Sequence, residues 1–374
     1  MQINNTSSSS SREVNWLDLP SHLVCLISDK LLLNIKDYIH FGAVCHPWRS
    51  VYVENLHRRC LPRQLPMLML GSELNNGDPD KRCLYDLSEK RVYNFSLQIP
   101  RDMECRSSTQ GWLITVDDKS RVYLLNPFML VNNKINLPHL PYFQSAGYFL
   151  VKGVLSSNPT SSPNYVVMAI YSGLHALAFY KSGDNAWTSL GSECIKIHDV
   201  IYYRDQFYAV DWYGTIWACD VNSSHNKVSI ATPPLDEDNV WISYIVESSG
   251  DLLCVRKKRI WIKDNCYSTV GFKVFKLDTV KHKWFEIRNL GGQTLFLGDN
   301  TSVSLLASDY PGCSPNCIYF TEEFCFYKKS DGRYDIRVFN LEERSIEVYR
   351  ATEAKRIFTA PIWIEASLGA FIRS

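Results

Sequence analysis

The chain has 374 residues, 45% of them hydrophobic, and its 40 Lys and Arg against 39 Asp and Glu leave a formal net charge of +1. Such a length holds a small module and one large domain. The balanced charge argues against a nucleic-acid binder with a broadly basic surface, and no apolar run reaches the roughly 18–20 residues that a membrane-spanning helix needs.

Met1–Ser11 is polar and serine-rich, with neither the basic start nor the apolar core of a secretory signal. Residues 1–13 read as a disordered tail. Residues 14–58 have helical spacing. Leu23, Leu26, Ile27 and Leu31 fall on one stripe. Pro20 suits a first helical turn, with Asp18 before it as a candidate N-cap. A second short helix after Asn34 carries Tyr38 and Phe41 and closes at Gly42. A third carries Cys45, Trp48, Tyr52 and Leu56 at steps of three and four. Three helices of about ten residues cannot bury a core of independent size. Several of their large apolar side chains must face either the rest of the chain or a partner.

Leu19-Pro20, then Leu23, Ile27 and Leu31, then Asp37, Phe41, Val44-Cys45 and Trp48-Arg49 resemble an F-box. That family docks this helical unit on the SKP-type adaptor of a cullin–RING ubiquitin ligase. The resemblance implies the same partner here, and through it cullin and RING subunits. It implies adaptor-binding roles for Leu19, Pro20, Leu23, Ile27, Leu31, Phe41, Val44, Cys45, Trp48 and Arg49. His46-Pro47 depart slightly from the family pattern, although Pro47 fits a first helical turn.

Residues 59–80 read as a connector, with Pro62, Pro66 and the turn-rich Asn75-Asn76-Gly77-Asp78-Pro79 around an apolar run at Met67–Leu70. From residue 81 to 374 the period changes to that of strands. Hairpins recur at Gly111–Asn126, Tyr165–Tyr180 and Gln206–Asp220. Further copies show at Leu84–Tyr93, Val274–Ile287 and Val338–Tyr349. Six copies at intervals of roughly 40–60 residues suit the blades of a β-propeller; a β-sandwich or two smaller all-β domains are the alternatives. Loops at Ser156–Asn164, Arg256–Thr269 and Ser308–Asn316 account for the longer intervals. Thr359–Ala366 reads as a last strand that pairs with an early blade. A kelch signature is weak, with one double glycine at Gly291-Gly292. Leu295–Leu305 and Cys317–Glu323 resemble the C-terminal domain of a large group of plant F-box proteins, propeller-like and of unassigned function. The expected architecture is thus an all-α F-box followed by an all-β propeller of about six blades.

The twelve cysteines are scattered, mostly within apolar runs, and read as buried free thiols in a reducing compartment, nucleus or cytoplasm. Cys313 and Cys317 form a close pair but lack neighbours at zinc spacing, so no metal is expected. His198, Asp199, Asp205 and Asp211 can be set out as an acid/base cluster. Aspartates that follow strands are turn formers first, and no nucleophile with a base in motif spacing is visible. His139, His175 and His282 read as turn or surface residues. No phosphate-cradling loop is present and no cofactor is expected. Arg256-Lys257-Lys258-Arg259 reads as a solvated turn or a charged edge strand, or as a nuclear-import run or docking patch. Trp212, Tyr213, Trp241 and Tyr310 sit beside turns and are candidates for target recognition.

These readings combine into a non-catalytic adaptor that recruits an unknown target protein. The rivals are a binding protein that sequesters without ligase activity, and a propeller that binds a glycan or small molecule.

Overall fold

The computed structural model describes residues 16–31, 35–57, 65–70, 82–87, 91–95, 99–100, 102–127, 132–140, 150–171, 175–190, 196–222, 228–235, 241–263, 266–310, 312–321, 335–350 and 362–364. The expected tail and most of the expected connector lie outside the described residues. Two units separate, Met1–Gln64 and Leu65–Ser374.

In the first unit a short 3-10 turn, Trp16–Asp18, precedes α1 (Ser21–Leu31), α2 (Ile35–Gly42) and α3 (His46–His57). The Pro20 carbonyl accepts from the Leu23 and Val24 amides and so opens α1. This helix buries Val24 and Ser28, one turn apart, and leaves Leu23 and Leu26 exposed. The core of the unit is aromatic. Tyr38 packs on Tyr52 and Phe41 on Trp48, each with ring centroids 4.9 Å apart. Trp16 meets Trp48 edge-on at 6.5 Å. The Tyr38 hydroxyl donates to the Tyr52 carbonyl at 3.3 Å. Burial, with Tyr38 alongside, pushes the Tyr52 hydroxyl up to about 12. α2 ends at Gly42, where a Cβ would stand 2.7 Å from the Tyr52 ring and only glycine leaves room for it.

The second unit is six sheets in sequence. Blade 1 holds β1 (Met67–Leu70), β2 (Arg82–Asp86) and β3 (Arg91–Phe95). Blade 2 holds β4 (Glu104–Thr109), β5 (Trp112–Val116), β6 (Val122–Leu125) and β7 (Lys134–Asn136). Blade 3 holds β8 (Leu150–Leu155), β9 (Val166–Tyr171), β10 (Ala176–Lys181) and β11 (Thr188–Ser189). Blade 4 holds β12 (Ile197–Tyr203), β13 (Gln206–Asp211), β14 (Ile216–Cys219) and β15 (Val228–Thr232). Blade 5 holds β16 (Trp241–Ser248), β17 (Asp251–Lys263), β18 (Cys266–Asp278) and β19 (Lys283–Ile287). Blade 6 has five strands, β20 (Gln293–Leu297), β21 (Ser302–Leu306), β22 (Cys317–Thr321), β23 (Asp335–Asn340) and β24 (Ser345–Arg350). Its β20–β22 pair is parallel; the other pairings of the described strands are antiparallel.

Closure comes from β25 (Ile362–Ile364), which pairs with β1 through Met67↔Ile364 and Leu68↔Trp363 and so becomes a strand of blade 1. Trp363 is buried against Phe296 of blade 6, and its indole N–H donates to the Leu297 carbonyl at 3.2 Å. The last strand expected from the sequence is therefore the latch between the last blade and the first. β1 lies inside the expected connector, because the apolar run Met67–Leu70 is a strand of the ring.

The six expected hairpins fall one to a blade, but their phase is not constant. Those of blades 2, 3 and 4 are the middle pairs β5/β6, β9/β10 and β13/β14. Those of blades 5, 6 and 1 are the outer pairs β18/β19, β23/β24 and β2/β3. A turn device repeats at the end of β5 and β13. Asp117 accepts the Lys119 and Arg121 amides on one oxygen and the Tyr123 hydroxyl on the other. Asp211 accepts the Tyr213 and Thr215 amides and the Trp217 indole in the same way. Burial pushes the Asp117 carboxyl up, but the hydrogen bonds from Arg121, Tyr123 and Lys119 outweigh it and bring it down to about 2.

Two outcomes test this closure and this turn. Truncation after Arg356 removes β25 and should abolish soluble expression, while Trp363→Ala should cost about 3–5 kcal/mol in urea unfolding. Asp117 is charged in the fold down to about pH 2 and takes up its proton near 3.8 when unfolded, so it stabilises above that window and less as pH falls through it. Asp117→Asn should therefore flatten the acid limb of the stability curve between those values, read by circular dichroism.

Candidate functional site

Three places carry residues singled out by the sequence: the propeller axis, one end of blades 3 to 5, and the outer face of the helices. At the axis the innermost strands β25, β4, β8, β12, β16 and β21 stand side by side. Asp199 of β12 is buried there. Its Oδ1 accepts Lys152 Nζ of β8 at 2.5 Å. Its Oδ2 accepts the Ile245 amide of β16 and the Ser302 hydroxyl of β21, each at 3.1 Å. One carboxylate thus joins four blades. Blade 2 connects to the same ring through the Gly153 amide, which donates to Ser107 Oγ at 2.8 Å. The acid/base cluster weighed from the sequence is not assembled. Asp199 is a mid-strand residue held by these donors rather than a turn former, and Asp211 is occupied by its turn. Asp205 sits in a left-handed turn with φ 61°.

The end of the propeller that carries the β13–β14 turn and the start of β16 gathers most of the remaining candidates. Arg256 and Lys257 are each 1% exposed. They lie midway along β17, the second strand of blade 5, with β16 on one side and β18 on the other. The expected solvated turn, edge strand or loop at 256–269 is corrected on this point. One 13-residue strand runs through the charges, and a peptide with two of its four cations buried in a sheet is not presented as an import run. Arg256 donates to the Trp212 carbonyl at 2.9 Å and to Ser243 Oγ at 2.8 Å, tying blade 5 to blade 4. The ammonium of Lys257 lies near the Tyr244 and Phe320 rings. Lys258 is exposed and Arg259 half-buried.

Trp212 is half-buried and Tyr213 exposed, whereas Trp241 and Tyr310 are buried. Trp241 is the second aromatic at this end, with Lys258 Nζ at 5.6 Å and Lys273 Nζ at 5.3 Å from its ring centre. Lys196 stands 5.0 Å and His198 4.9 Å from the Trp212 ring. His198 Nδ1 accepts the Ser243 amide at 3.0 Å. Burial first, then the positive fields of His175, Arg259 and Arg256, hold His198 well below the ordinary histidine value, hence neutral. Tyr310 closes the 3-10 turn at Ala307–Asp309 in blade 6 and is a packing residue.

Of the expected adaptor-binding residues, Pro20, Leu23, Val44 and Arg49 are exposed, and Leu19, Ile27, Leu31 and Cys45 half-buried. Phe41 and Trp48 are buried in the aromatic core of the unit, which corrects their expected surface role. Three helices this short use their largest rings to hold one another. Exposed apolar groups that the motif did not single out are Trp16, Leu17 and Leu26. Leu26 was legible on the α1 stripe.

Cys105 and Cys219 are free and buried, which pushes each thiol up to about 12. Cys313 is free as well, and burial, opposed by hydrogen bonds with Thr294 and Tyr319, leaves it at about 11. Among the described residues Asp102, Asp117 and Asp118 bring carboxylate oxygens within 4.8 Å of one another, but Asp117 is committed to its turn. No helix of the described residues is long and apolar enough to cross a membrane.

The class defined by these features is a six-bladed β-propeller preceded by a separate three-helix unit with an apolar outer face. Residues 84–349 match the KIB1-4 beta-propeller family, and the chain belongs to it. That family replaces the kelch-like affinity weighed from the sequence. The F-box protein SKIP23 of Arabidopsis thaliana is 27% identical over 94% of this chain and 96% of its own length. The F-box protein At2g26160 of the same plant is 26% identical over 82% of this chain and 95% of its own. These relatives bear out the resemblance to plant F-box proteins with a propeller-like second domain. The propeller domain of Cps50 (Swd1) from Myceliophteria thermophila overlaps 76% of this chain and 85% of its own at 8% identity, with a TM-score of 0.36, too low for an argument to rest on.

The axial ion pair sets a testable energy. Asp199→Ala should cost about 3–5 kcal/mol, because it strands a buried ammonium. Lys152→Met combined with Asp199→Leu should cost less than the single change, as read in a double-mutant cycle by urea unfolding.

Proposed function

We propose that the chain is the substrate-recognition subunit of an SCF-type cullin–RING ubiquitin ligase. The helical unit docks on a SKP-type adaptor, and the propeller holds a target protein. The observation that carries this reading is the outer face of the helices: Leu26 is 57% and Val44 51% exposed, while the rings of Phe41 and Trp48 are spent on the interior. Exposed apolar side chains grouped on so small a unit mark a protein interface. The names of the relatives support the same partner.

The mechanism is proximity. Holding target lysines near a charged ubiquitin-conjugating enzyme raises their effective concentration, and this chain performs no bond chemistry of its own. Nucleus or cytoplasm suits both the partner and the free thiols.

Leu23→Glu with Leu26→Glu should abolish capture of the adaptor from a plant extract and leave thermal melting unchanged, since interface anchors contribute about 2 kcal/mol or more each. Leu19→Ala with Pro20→Ala should do the same. Capture that survives both pairs sinks the docking claim. Cullin should co-purify with the adaptor; adaptor without cullin would instead support sequestration.

A further inference from the structure

Blade 5 differs from its neighbours at one end. β17 and β18 continue past the start of β16 at Trp241, and pair on as a hairpin through Arg259↔Thr269, Ile260↔Ser268 and Trp261↔Tyr267. Ile260, Trp261, Ile262, Tyr267 and Val270 are exposed on it, Trp261 at 54%. Two of these rings brace each other, Trp261 and Tyr267, with centroids 5.0 Å apart and edge to face. A sheet segment that exposes both an indole and isoleucines is not explained by packing within the blade.

The base of this hairpin is positively charged. Lys258 and Lys273 flank the Trp241 ring, Lys196 lies over Trp212, and the Arg259 guanidinium lies 4.7 Å from the Tyr267 ring. Among the described residues, Lys196, Lys258 and Lys273 pair with no carboxylate. Asp211, the acid in the β13–β14 turn, has both oxygens committed to that turn and to Trp217.

We propose that this end of blades 4 and 5 is the target-docking face, and that it takes an extended acidic segment of a protein. One or two aromatic or aliphatic residues of that segment lie along the hairpin, and its carboxylates meet Lys258, Lys273 and Lys196. The proposal rests on the substrate-recognition reading for the word target, but the face and its ligand chemistry stand on the geometry alone. Charge complementarity selects the acid, and the exposed rings supply the anchor that charge does not. Nucleic acid would meet the same cations, but the cationic patch is short and the chain as a whole is close to neutral.

The experiment selects peptides from a random display library on the immobilised full-length chain. The enriched peptides should be rich in Asp and Glu and carry an aromatic or aliphatic residue. A synthetic peptide from that set, measured by fluorescence anisotropy, should bind more weakly as salt rises. Lys258→Glu with Lys273→Glu should weaken it by about tenfold or more, and Trp261→Ser by about tenfold, with melting unchanged. An empty selection, neutral or basic winners, salt-independent binding, or a single-stranded oligonucleotide that outcompetes the peptide overturns the proposal. Adaptor capture is measured on the same variants. Peptide binding without adaptor capture in the wild type sinks the ligase reading and keeps the face, and the reverse pattern sinks the face alone.

Discussion

Six sheets with no strand in common have to be held around one axis, and the side chain best placed to do that here is an acid. Asp199 gathers an ammonium, an amide and a hydroxyl from three other blades. A buried ion pair contributes little net stability once its desolvation is counted, but removing one member is expensive. Its value lies in discrimination. A blade displaced by one residue along the axis would leave a charge without a partner. The apolar clusters between blades supply the bulk of the stabilisation and are more tolerant of such slips. The wall of blades 3 and 4, built of Met168, Ile170, Leu177, Phe179, Val200 and Phe207, is one of these clusters.

The helical unit solves a different problem with fewer residues. Four rings, those of Tyr38, Phe41, Trp48 and Tyr52, meet at its centre, and a glycine is needed where the second helix ends because one ring occupies the space a side chain would take. The outward stripe of the first helix, with Leu23 and Leu26, stays exposed. A unit that spends its aromatics on cohesion has to leave aliphatics outside. This is how so short a unit holds together and still exposes apolar side chains.

How much of this the sequence disclosed follows from the range of each interaction. The hairpins were legible because both strands and the turn are close together in the chain, and Asp117 and Asp211 advertise the turn. The blade phase was not, since middle and outer pairs look alike locally, and only the sheet order separates Val122–Leu125 from Lys283–Ile287. The adaptor motif was legible as a pattern, yet the pattern did not separate Phe41 and Trp48, which hold the helices together, from Leu23, which faces out. The four cations of β17 misled because charge normally marks a turn. Here an alkyl arm among rings, one hydrogen bond to a neighbouring blade and one within its own make burial tolerable. Asp199 was singled out for chemistry, and its partners in three other blades lie too far away in sequence for any local reading.

The strand that completes blade 1 is made long after the strand it pairs with. Met67 waits for Ile364, an interval of roughly 15–60 s at ordinary rates of synthesis. Throughout that time Leu68 lacks the cover that Trp363 will provide, and Phe296 lacks it from its own synthesis onward. The helices precede the ring in the chain, so they are made while the ring behind them is still open. The order of synthesis thus gives the helices time to fold before the strand that closes the ring exists.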